Sequence, residues 1–214
     1  MSEDNSSVLS GAMGAILSTE DFVSLANKLA QWRLDPSIKL MESKKSKGRI
    51  LGFVKGLRFS AQVAYLIRNI LSPHSIDVNW GHLIDNNGIS CSPECDIIIH
   101  QPGYIQKWNG SDRPIMDFKF INCKDALGIV SCKSLTRSVD KEYCKDFNKY
   151  KMKNIFLFVE CCNEKSIDRL TKQAKEAGYK GFYYLYTIKN DQYIKTDENV
   201  YIKFIKKIKA LPNT

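Results

Sequence analysis

Four short apolar runs constrain this chain most: CDIIIH (95–100), ALGIVSCK (126–133), IFLFVECC (155–162) and GFYYLYTI (181–188). Each is rich in β-branched or aromatic residues and too short for a buried helix. Apolar side chains fill both alternating sets of positions, the pattern of strands covered on both faces. A further run, IDVNWGHLID (76–85), reads as a strand entering a turn at Asn87-Gly88, so that it and CDIIIH form a hairpin. FKFI (118–121) is another short strand, and the Pro, Gly, Asn and Asp content of 101–114 predicts a loop.

Helical periodicity appears before, between and after these runs. LRFSAQVAYLIRNIL (57–71) carries Val63, Leu66, Ile67 and Ile70 on one face and ends at Ser72-Pro73. SIDRLTKQAKEA (166–177) is amphipathic and followed by Gly178 as a C-cap, and VYIKFIKKIKAL (200–211) is a basic amphipathic helix. The polar segment SVDKEYCKDFNKYKM (138–152) is helix-compatible. Upstream, residues 1–17 read as a loose tail. A helix then starts at Ser18, with Asp21 in its first turn and Phe22, Leu25, Ala26, Leu29 and Trp32 on one face, and stops before Asp35-Pro36. Strands in the middle with helices around them predict an α/β fold, a mixed central sheet flanked by helices on both faces. The expected division is a tail, helix and basic linker over 1–47 and one domain over 48–214.

Composition narrows the partners. The 214 residues carry a net charge of +9, which favours acidic partners such as nucleic acid. Lys39, Lys44, Lys45, Lys47, Arg49, Lys55 and Arg58 face only one acid, Glu42, in the same stretch. That stretch is either a solvated linker or a phosphate-facing edge, and the final helix adds Lys203, Lys206, Lys207 and Lys209. The seven cysteines lack framework or zinc-ligand spacing, which predicts reduced thiols in a cytoplasmic protein. No apolar run approaches the roughly 20 residues of a membrane span, so no membrane association is expected.

The chemistry is concentrated at two strand ends. Strict alternation places Asp96 with Ile98 and His100, and Ser131 with Lys133. If these strands are neighbours, Asp96 and Lys133 meet at one end of the sheet. An aspartate supplies oxygen for a hard divalent cation, and a lysine can orient or help deprotonate water during phosphodiester hydrolysis. A second carboxylate at the acid-x-Lys position is missing, because Ser131 stands there. Three acids are possible substitutes: Glu94, two residues before Asp96; Asp125, in phase with Ser131 but six residues away; and Glu160, at the end of IFLFVE. Glu94 is the best placed, although an acid after Pro93 is also an ordinary solvated loop residue.

The order and spacing of GHLIDNNGISCSPECDIII and GIVSCKSLT resemble the PD-(D/E)XK nuclease superfamily, and within it a bacterial nuclease-like domain family of unknown function, over residues 52 to about 190. The resemblance implies a restriction-endonuclease-like fold and a Mg²⁺- or Mn²⁺-dependent phosphodiesterase acting on DNA. It puts Asp96 and the Cys132 carbonyl at the metal, Lys133 at the catalytic lysine and Ser131 at the acid position. It also implies that the helix from Leu57, with Phe59, Ser60 and Gln62, lacks a glutamate that many members place there. Two functions therefore stand: a metal-dependent endonuclease with a variant site, or a catalytically degenerate nuclease fold that binds nucleic acid or a protein partner. Sequence leaves the oligomeric state open.

Overall fold

The computed structural model describes residues 49–72, 74–102, 105–106, 118–148, 150–190 and 192–213. The expected helix from Ser18, the tail, and the basic side chains of Lys44, Lys45 and Lys47 lie outside these residues. Arg49 and Lys55 fall on the opening turns of the first helix, where only the backbone is described.

Chain order is α1 (Arg49–Leu71), β1 (Asp77–Ile84), β2 (Cys95–His100), β3 (Ile105–Gln106), β4 (Phe118–Asn122), β5 (Ala126–Thr136), α2 (Lys145–Asn148), β6 (Ile155–Asn163), α3 (Ile167–Ala177), β7 (Gly181–Lys189), β8 (Gln192–Lys195) and α4 (Glu198–Ala210). The strands form one mixed sheet in the order β3-β4-β1-β2-β5-β6-β7-β8. The β1/β4, β5/β6 and β6/β7 pairs are parallel, and the remainder antiparallel.

The continuous apolar runs are explained by cover on both faces. On one side α1 and α4 supply Phe59, Val63, Ile67, Phe204 and Ile205, which pack with Val130, Phe158 and Tyr183 of the sheet. On the other side α3 supplies Leu170 and Ala174 against Ile129, Leu157 and Val159. Fully burying each such side chain contributes roughly 1.5–3 kcal/mol. Residues 155–162 are therefore buried without interruption. Gly178 ends α3 in the left-handed region at φ 102°, donating its N–H to the carbonyls of Ala174 and Lys175. Asp197 starts α4 by accepting the Asn199 N–H at 2.8 Å.

Two departures from the expected layout matter. The polar 138–152 segment forms one helical turn, Lys145–Asn148, instead of a long helix. Glu142 donates its N–H to the Asp140 carboxylate in a local turn, and Val139, Cys144 and Phe147 are buried beneath it. Local side-chain bonding and inward packing at irregular intervals thus override helix propensity. Second, the β1/β2 register slips between Asn79↔Ile98 and Gly81↔Cys95. Three steps along β2 match two along β1, which is a bulge at Asp96-Ile97 opposite Trp80. Cys95 consequently joins the α3-side core and Ile97 the α1-side core, although strict alternation would put them together.

Candidate nucleic-acid cleft

β2 and β5 are antiparallel neighbours, with register from Ile99↔Gly128 to Ile97↔Val130. Continuing that register brings the head of β2 beside the tail half of β5, so Asp96 lies next to Ser131 and Cys132. Asp96 Oδ2 accepts the Cys132 backbone N–H at 2.8 Å, and the Ser131 hydroxyl lies 3.5 Å from the same oxygen. The carboxylate thus satisfies a strand N–H beyond the last paired residues. The bulge corrects the simple alternation expected for β2: Asp96 lines a cleft beneath α1 instead of following Ile98 and His100 into the opposite layer.

The cleft has a volume of about 890 Å³. Its floor and one wall come from Asp96, Cys132, Lys133, Ser134 and Leu135, and α1 forms the other wall. Leu57, Ala61, Ala64 and Arg68 follow one another at helical spacing along that wall, offset from the buried Phe59, Val63 and Ile67 stripe. Arg58 also reaches the cleft, and its Nη2 donates to Glu160 Oε1 at 2.6 Å. Arg68 is held at the far end by Val78, whose carbonyl accepts from Nε at 3.2 Å and Nη2 at 2.7 Å. Trp80 and Glu94 complete the rim, the indole Nε1 donating to Glu94 Oε1 at 2.7 Å.

Burial dominates the electrostatics. Desolvation raises the Asp96 carboxyl above its ordinary range, opposed by the Cys132 N–H and by Lys133. Burial pushes the Cys132 thiol up as well, so it is a poor nucleophile or ligand at neutral pH. Cys95 is likewise pushed up to about 12. None of the seven cysteines is joined in a disulfide.

The structure sorts the expected site residues clearly. Asp96, Cys132 and Lys133 share the cleft, whereas Ser131 is fully buried behind it. Of the substitute acids, Glu94 is in the cleft. Glu160 is buried and pinned to Arg58. Asp125 lies at the other end of β5, where its carbonyl accepts the Gln101 N–H. Arg68, Trp80 and Tyr143 also line the cleft, and sequence reading did not assign them to it. A signal for Arg68 existed: it is eleven residues from Leu57, on the same helical stripe.

Among the described residues no three His, Cys, Asp or Glu side chains converge as metal ligands. Ser131 supplies only a neutral, buried hydroxyl, and Asp96 Oδ2 already accepts a backbone N–H. These residues do not fit a complete Mg²⁺ or Mn²⁺ site.

No protein-family model matches the chain, and no curated protein does. Solved structures do. NucC of P. aeruginosa ATCC27853 in its cAAA-bound form superposes with a TM-score of 0.55 at 11% identity, covering 91% of this chain and 92% of that one. The chain has the restriction-endonuclease-like fold. NucC of E. coli MS115-1 is similar in both its cAAA-bound form (TM-score 0.54, 10% identity, 91% of each chain) and its apo form (TM-score 0.54, 11% identity, 92% of each chain). Coverage of nine-tenths on both sides means that the likeness extends well beyond the β2/β5 pair. Among the described residues, no helix is long and apolar enough to cross a membrane.

Proposed function

We propose that this chain binds nucleic acid, DNA in the first place, in the cleft between α1 and the β2/β5 strand ends, using a nuclease fold that lacks the usual set of metal-binding acids. The observation that carries this reading is the lining itself: Arg68 and Lys133 reach one cleft together with Arg58, whose charge Glu160 already meets, and Ser131 adds no third carboxylate to Asp96 and Glu94. Phosphate binding needs those cations and no metal. The chain's net charge of +9, and Lys203, Lys206 and Lys207 exposed on α4, favour approach to a polyanion. Two of the similar NucC structures are cAAA-bound forms, which makes cAAA a second ligand to titrate.

Metal-dependent cleavage is the second reading. It is favoured by the presence of Asp96 and Lys133 in the same cleft, with Glu94 beside them. Anisotropy titration of labelled DNA in EDTA, paired with plasmid nicking in Mg²⁺ and Mn²⁺, separates the two. Tight, salt-sensitive binding in EDTA without nicking in either metal supports the binding reading. Nicking that disappears in Lys133→Ala and Asp96→Ala supports the enzyme. A protein partner becomes the better account if DNA does not bind even at low salt.

A further inference from the structure

The cleft is built for more than phosphate. Its lining is predominantly apolar, although five charged side chains reach it. Leu57, Ala61 and Ala64 give α1 a shallow face, Trp80 stands at the rim, and Leu135 is 48% exposed beside Lys133. A large apolar residue left open to water beside a cation is poorly suited to a bare phosphate backbone. Its volume of about 890 Å³ lies in the range of small-ligand sites. The β2 bulge sits opposite Trp80, and the Glu94 carboxylate fixes the indole through Nε1.

We propose that this cleft accepts an unpaired nucleobase of single-stranded or frayed DNA, with the base between the Ala61/Ala64 face and Trp80 and the flanking phosphate on Lys133. The inference rests on the nucleic-acid reading above and adds the strand state that the cleft selects. Paired bases are withheld from such a slot by stacking and pairing, whereas an unpaired base offers its π-face to an aromatic ring. Trp80 shares the cleft with Arg68, bound to the Val78 carbonyl, and with Glu94, so apolar, cationic and acidic groups line one site. Ala61 is exposed and small, so a base can approach the helix there.

The test compares a labelled single-stranded DNA oligomer, its blunt duplex, and the same single strand carrying abasic sites, all in EDTA. The wild type is expected to bind the single strand at least tenfold more tightly than the duplex, and to lose most of that advantage on the abasic strand. Ala61→Phe, which fills the slot from an exposed position, should erase the preference. Equal affinity for single strand, abasic strand and duplex overturns the inference and leaves phosphate binding standing. A preference that survives Ala61→Phe also overturns it. Failure of all three DNAs to bind refutes the nucleic-acid reading as well.

Discussion

Asp96 and Cys132 are joined by a 2.8 Å bond from the Cys132 backbone N–H to the Asp96 carboxylate, which ties the bulged head of β2 to β5 at the floor of the cleft. The same oxygen that would face a cation is therefore also a structural acceptor.

That dual position gives a pH prediction. Burial raises the folded-state pKa of Asp96 above its ordinary value of 3.8. A raised acid makes the ionised native state costly. Stability therefore increases as pH falls from neutral through the folded pKa, and the effect is complete below the unfolded value. Asp96→Asn keeps an acceptor for the Cys132 N–H without the charge, so its Tm should exceed the wild type's at pH 7 and match it near pH 3. Asp96→Ala leaves the N–H without its acceptor and should cost about 1–3 kcal/mol. Thermal melts across this pH range check both.

Arg58 and Glu160 form a largely buried pair, their side chains 24% and 3% exposed. Glu160→Ala should destabilise the fold by about 3–5 kcal/mol, because it strands the guanidinium. Arg58→Met with Glu160→Leu should recover most of that loss. Urea denaturation of the double-mutant cycle measures the coupling.

Gly81 carries the β1 backbone past β4 at φ +154°, and a Cβ there would sit 1.7 Å from the Lys119 carbonyl oxygen. The neighbour is backbone and cannot swing aside. Gly81→Ala should cost about 3 kcal/mol or more, by strain and loss of β1/β4 pairing. Its unfolding midpoint in urea checks this.

Ser131 is fully buried. Ser131→Glu should lower Tm sharply without metal, since an unpaired carboxylate is placed beside Asp96. If the fold holds a latent metal site, millimolar Mn²⁺ should raise the variant's Tm and leave the wild type's unchanged. A Tm indifferent to Mn²⁺ argues against such a site.

The fold was legible because the apolar runs, helical stripes and turn residues agree: CDIIIH is a strand over Cys95–His100 as read, and α3 runs from Ile167 to its Gly178 cap. The cleft was only partly legible. Strand adjacency put Asp96 and Lys133 together, but the bulge that turns Asp96 toward α1 comes from backbone register, which residue identity does not encode locally. In the sequence Arg58 is one of seven basic residues on a solvated linker or phosphate-facing edge. Its ion pair depends on Glu160, 102 residues away, a contact that only the packing of α1 on β6 creates. Trp80 reads only as one residue of the IDVNWGHLID strand, and it is the folded hairpin that brings its indole to the Glu94 carboxylate.

A cleft that binds nucleic acid without a metal must hold DNA in EDTA. The most direct measurement is the affinity of the full chain for single-stranded DNA in EDTA as a function of salt, for wild type and Lys133→Ala. The predicted result is binding that weakens linearly on a log–log plot, with a slope reduced by about 0.7 in Lys133→Ala as one phosphate contact is lost. Binding that is absent in EDTA and appears only with Mg²⁺ or Mn²⁺, or a slope that ignores Lys133→Ala, would contradict it.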